Sequence, residues 1–199
     1  MAFRDFTFPR VEQDLGLHLR DADLFSSAPE CPIRESIAEI VREGVQLALA
    51  NSTEKAKSEF IIAPVLLELR RLAGGKIALF SGVEWDMEPS RGLNGYCDFI
   101  LTKGGSEHIL RAPFVAVVEA KNDLIRTGLG QCIAATYAAR ISNERTHERS
   151  GPVFGVVSTG AAWKFLRMDG DEVLLDRDEH FIDNLPKIMG ILKTIVDDA

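Results

Sequence analysis

Cysteine, histidine and tyrosine are scarce in this chain of 199 residues, and none of its apolar runs is long. Cys31, Cys97 and Cys132 form no Cys-x-x-Cys pair and leave an odd count. That argues against a disulfide framework and fits reduced, mostly buried thiols in a cytoplasmic protein. The four histidines are scattered along the chain, which argues against zinc. No stretch approaches the ~20 apolar residues of a membrane span. Met1-Ala2-Phe3-Arg4-Asp5 lacks the apolar core of a signal peptide. Gly74-Gly75-Lys76 is not a phosphate-binding loop, because the first glycine and the closing Ser or Thr are missing. Repeats, low-complexity tracts and linkers are missing too.

Positive charge is also short. The formal net charge of −7 speaks against a general nucleic-acid coat. The deficit is uneven. Residues 169–199 carry nine acids and three bases, whereas residues 120–168 carry seven bases against three acids. The middle segment is therefore where phosphate contacts are expected. Each arginine there, taken singly, also reads as a solvated helix end.

What is present suits one domain over residues 1–199, since 46% of the chain is hydrophobic. Residues 1–32 read as an irregular leader packed on the domain, with Phe6, Phe8, Val11, Leu15, Leu17 and Leu19 as its apolar contacts. Pro32 opens a helix whose face is Ile33, Ile37, Ile40, Val41 and Gly44. Asn51 and Glu54 resemble a capping box for the next helix, which Pro64 should kink and Gly74-Gly75 should stop. Strands are expected at 76–83, around Asp98, at Phe114–Val118 and at 152–158. A helix over 124–141 joins the last two. A hairpin about Asp169-Gly170-Asp171 and a helix from Asp183 close the chain. This order predicts an α/β fold, a mixed central sheet flanked by helices with an extra C-terminal hairpin and helix. The crossover from Glu119 to Pro152 should be right-handed.

The chemistry concentrates between Asp98 and Lys121. Phe114-Val115-Ala116-Val117-Val118 is a continuous apolar run, as in a strand buried on both faces. Glu119 and Lys121 follow it two residues apart, on one side of the strand, with Ala120 opposite. Asp98 follows Gly95-Tyr96-Cys97 in a neighbouring strand and brings a second carboxylate. Two carboxylates, a backbone carbonyl and waters suit magnesium. A Glu-x-Lys tripeptide by itself is usually only a solvated strand edge.

Together these residues resemble the PD-(D/E)xK nuclease superfamily, with its restriction-endonuclease-like core, in an uncharacterised branch. Ser58 to Leu69 looks like the corresponding segment in the nuclease domain of type I restriction subunits. The resemblance covers residues 54–160, between an N-terminal leader and helix (1–53) and a C-terminal hairpin and helix (161–199). It implies that Asp98, Glu119 and the Ala120 carbonyl bind Mg²⁺, with Mn²⁺ as a substitute, and that Lys121 positions the attacking water. It implies a further glutamate, Glu59, near the metal, and Gln131 on the following helix to orient Lys121 or a phosphate. Glu59 is expected on the buried face of Ile62, Ala63 and Leu66; a first-turn acid serving the helix dipole is the equal alternative. Glu68 is expected near solvent. Tyr137 departs from the family spacing. It lies six residues after Gln131, about 600° of helix, and reads as core.

The function implied is a metal-dependent phosphodiesterase, an endonuclease or exonuclease acting on nucleic acid, DNA ahead of RNA, without a membrane partner and as a homodimer. The alternative is a catalytically silent nuclease-fold module for binding or assembly. His108 and Arg111 lie between the motif strands, where a substrate backbone is one guess. Trp163 reads as core or hairpin packing, with base stacking as the alternative.

Overall fold

A computed structural model describes residues 1–104, 108–146 and 151–198. Arg149, one of the bases of the middle segment, lies outside the described residues. The chain opens with a 3-10 turn at Phe3–Asp5, α1 at Phe8–Leu15 and β1 at His18–Ala22. Next come α2 at Glu35–Asn51, α3 at Glu54–Lys57, a π turn at Ser58–Ile62 and α4 at Ala63–Leu72. The strands β2 (Ile77–Glu88), β3 (Leu93–Lys103) and β4 (Phe114–Ala120) form an antiparallel meander. Then α5 (Ile125–Arg145) crosses over to β5 (Val153–Ser158), which pairs parallel with β4. The hairpin of β6 (Ala162–Asp169) and β7 (Glu172–Asp176), the short β8 (His180–Phe181) and α6 (Leu185–Asp198) complete the fold. It is α/β, with one mixed, mostly antiparallel sheet of eight strands flanked by helices. No helix among the described residues is long and apolar enough to cross a membrane.

The strands run β1-β7-β6-β5-β4-β3-β2 across the sheet, with β8 also on β6. Every residue of β4 and β5 is buried, because both strands lie mid-sheet with packed layers on each face. One layer comprises α2, α4 and α6; Val41, Leu66 and Ile191 belong to the core beneath it. The other is α5 with the N-terminal segment, where Phe3, Val11 and Ile133 pack over Val117 and Val157.

The leader differs from expectation. It is ordered structure, and β1 extends the sheet by pairing parallel with β7, from His18 opposite Glu172 to Ala22 opposite Asp176. Residues 18–22 (His-Leu-Arg-Asp-Ala) carry almost no β signal of their own, so a strand there depends on the edge β7 offers. The expected capping box at Asn51 is also displaced. Thr53 is the N-cap, its Oγ1 accepting from the Ala56 N–H at 3.1 Å.

Pro64 acts differently from a simple kink. It has no N–H, and its ring clashes with the carbonyl four residues back, that of Phe60. The helix responds with a π turn in which the Ala63 N–H donates to the Ser58 carbonyl, five residues back. The freed Phe60 carbonyl points at α2, where a Cβ on Gly44 would collide with it. Glycine at 44 therefore lets the two helices meet at backbone distance.

Candidate active site

The end of β4 carries the chemistry. Glu119 is fully buried, at 0% exposure. Its Oε2 accepts from Gln131 Nε2 at 2.7 Å, and Lys121 Nζ lies 3.8 Å from the same oxygen. Its Oε1 is buried with no hydrogen-bond partner. Such an orphan acceptor is costly in a folded protein and calls for an explanation. Asp98 is half-buried on β3, and its Oδ2 accepts from the Ala120 N–H at 2.8 Å. Phe99 faces Val118 in the antiparallel ladder, so the next step outward brings Asp98 opposite Glu119.

This arrangement sets the protonation of Glu119. Burial comes first and the Asp98 charge second, and together they push its carboxyl well above the usual carboxylate range; Lys121 offsets only part. The two neighbouring thiols, Cys97 and Cys132, are pushed up by burial and then by Glu119. They are inert apolar neighbours rather than nucleophiles.

Lys121 stands where β4 turns away. Its N–H donates to the Ser158 carbonyl at 2.8 Å, which ties it to the end of β5. Its side chain is only 14% exposed and lies along α5. A Cβ at Gly128 would come 2.7 Å from Lys121 Cγ, so glycine at that position clears the path of the lysine stem. Gln131 lies one turn further along α5 and reaches Glu119. Asp98, Glu119, Lys121 and Gln131 thus converge in space, at the open end of the two buried strands.

Glu59 does not join them as expected. It is exposed and pairs with Lys55 at 3.0 Å. The π turn explains the shift, since each of its residues advances less around the axis than an α residue and turns Glu59 off the buried face. It stands instead on the wall of a cleft of about 240 Å³ shared with Asp98, Glu54 and Ser81. Glu54, which the motif did not single out, adds to the negative field on Glu119. Glu68 is likewise the reverse of expectation. It is fully buried, and its carboxylate takes forked bonds from Arg34 (2.7 and 3.0 Å) and Arg71 (2.8 and 2.9 Å). Those guanidiniums hold it at about 2, below the usual carboxylate range, with Arg71 contributing most.

The remaining candidates fall elsewhere. His108 and Arg111 belong to the segment that enters β4, at the end of that strand away from Glu119. Trp163 is fully buried and donates from Nε1 to the Gly160 carbonyl at 3.0 Å, so it is core. Tyr137 is core too, held between the guanidiniums of Arg91 and Arg140. Sequence reasoning missed Asn143, buried near the far end of α5. Its Oδ1 accepts from the Phe114 N–H at 2.7 Å and its Nδ2 donates to the Phe114 carbonyl at 2.9 Å, which anchors the start of β4. Only its place on the helix spanning the two buried strands could have suggested that role.

Among the described residues, no group of three or more His, Cys, Asp and Glu side chains gathers round one point. The chain matches no protein-family model and no curated protein.

Proposed function

We propose that this protein is a metal-dependent phosphodiesterase of PD-(D/E)xK type that hydrolyses nucleic acid. The observation that carries the reading is the fully buried Glu119, with one orphan oxygen, held among Asp98, Lys121 and Gln131 at the mouth of the sheet. Burying an acid this way costs stability unless something compensates it. The donors fit a hard cation that prefers oxygen and keeps several waters. Asp98, the free Oε1 of Glu119 and the Ala120 carbonyl would hold it. The chemistry supplied by a bound Mg²⁺, or by Mn²⁺ in its place, is acidification of a water and stabilisation of charge on the phosphate.

The chain's own residues do the rest. Gln131 donates to Oε2 and keeps Glu119 turned so that Oε1 stays free. Lys121, nearly enclosed, places its side-chain nitrogen where the attacking water must sit. It orients that water and, as an ammonium, offsets the negative charge that develops as the water's proton leaves to solvent and in the transition state. Asp98 is fixed by the Ala120 N–H and so holds its second oxygen in register with Glu119. DNA stands ahead of RNA, and a homodimer is preferred, on the resemblance alone.

A silent binding module is the second reading. The acidic rim of Glu54 and Glu59 and the overall charge of −7 favour it. The test is cleavage of labelled single- and double-stranded DNA and RNA, with Mg²⁺, with Mn²⁺ and with EDTA. Lys121→Ala should abolish metal-dependent cutting and leave the fold intact. Equal cleavage by the variant would defeat the reading, and no cleavage by either protein would favour the silent module.

A further inference from the structure

The catalytic lysine proposed above is not the only lysine at the mouth of the sheet. Lys57, at the end of α3, reaches across to the turn that follows β4. Its ammonium donates to the backbone carbonyl of Asn122 and to Asn122 Oδ1, the latter at 3.1 Å. Asn122 in turn donates to Asp123 Oδ2 at 3.2 Å, which stiffens the turn. Lys57, Asn122 and Thr159 share the wall of one small cavity of about 170 Å³ beside the strand ends. The Lys121 N–H is already tied to Ser158. The turn carrying Lys121 is therefore gripped from β5 on one side and from α3 on the other.

We propose that Lys57 is a positioning residue, which fixes the Lys121-Asn122 turn and thereby the placement of the Lys121 ammonium. Its catalytic consequence rests on the phosphodiesterase reading; its effect on the turn does not. Three features argue for it. The contact joins residues 65 apart in sequence, so it is made by the fold and not by local geometry. Lys57 donates a charge-assisted bond to a main-chain carbonyl, which restrains the backbone more tightly than a side-chain partner would. Finally, Lys57 enters from the residue just before the π turn, and that turn is anchored on α2 at Gly44. The helical layer is thus coupled to the catalytic strand end through one side chain.

The test uses the whole protein. Lys57→Met keeps the apolar stem and removes all three donors. Lys57→Arg retains donors that reach a carbonyl. Lys57→Met should lower kcat by about 10- to 100-fold, the usual cost of a misplaced catalytic group, with KM little changed. Lys57→Arg should recover most of that loss. A merely structural lysine would give neither the kcat-specific loss nor the rescue. Amide hydrogen exchange at Lys121, whose N–H is bonded to Ser158, should quicken by about tenfold in Lys57→Met and not in Lys57→Arg. Wild-type exchange at that amide in Lys57→Met overturns the proposal, and so does wild-type kcat. If the wild type cleaves nothing, the phosphodiesterase reading fails, and the exchange measurement alone decides for or against the grip on the turn.

Discussion

Replacing Glu119 by Gln should stabilise the isolated protein and abolish the proposed metal-dependent cleavage. The carboxyl is 0% exposed, one oxygen has no partner, and Asp98 stands opposite. Its folded-state pKa is therefore raised, so the native state binds a proton that the unfolded chain releases near 4.5. The sign follows from linkage. Stability is fully present below the unfolded value and is lost as pH rises towards the raised folded one. Above about pH 5.5 the loss runs at about 1.4 kcal/mol per pH unit, the free energy of one unit of pKa difference. It stops when the folded-state pKa is reached. Glu119→Gln cannot titrate, and the amide keeps the shape and a contact for Gln131. The stability difference, variant minus wild type, should accordingly open with that slope between pH 5.5 and the plateau. Urea melts at half-unit pH steps in EDTA would measure it. Addition of Mg²⁺ should raise the melting temperature of the wild type and leave the variant almost unmoved, because a ligand stabilises only the state that binds it. A variant that is less stable than wild type at pH 7.5, or a difference flat in pH, would refute the reasoning.

Further outcomes follow from the same geometry. Asn143→Ala should cost about 2–4 kcal/mol in denaturant melts, since it leaves both the N–H and the carbonyl of Phe114 unpaired in the core. Gly44→Ala should cost about 1–3 kcal/mol, because the new Cβ drives α2 away from the Phe60 carbonyl. Glu68→Gln should cost about 1–3 kcal/mol at pH 7, towards the low end, because Arg34 and Arg71 are each about half exposed and rehydrate. Glu68 is held at about 2, so its contribution is complete above about 4.5 and disappears as pH falls through 2. Acid melts should thus be steeper for wild type than for Glu68→Gln over that window, and equal slopes would contradict the assignment.

Much of this protein was legible in its sequence, where the pattern was strong. A run such as Phe114–Val118 reads as a strand buried on both faces, which β4 is, and its neighbours β3 and β5 follow in the same way. Period-two geometry is local, so the pairing of Glu119 with Lys121 needed no tertiary information. What the sequence could not decide lay wherever a distant partner or a helix irregularity intervened. The leader strand His18–Ala22 exists because β7 presents an open edge. Glu59 and Glu68 exchanged their expected places: the π turn at Ser58–Ile62 breaks the constant advance that an ideal helical wheel assumes and moves Glu59, whereas Glu68 is held inside by Arg34, 34 residues away, and Arg71. The Gln131 bond to Glu119 and the reach of Lys57 to Asn122 each join residues on different elements. Periodicity records which face a side chain takes on its own strand or helix. Only the packing of those elements against one another decides what each side chain meets there.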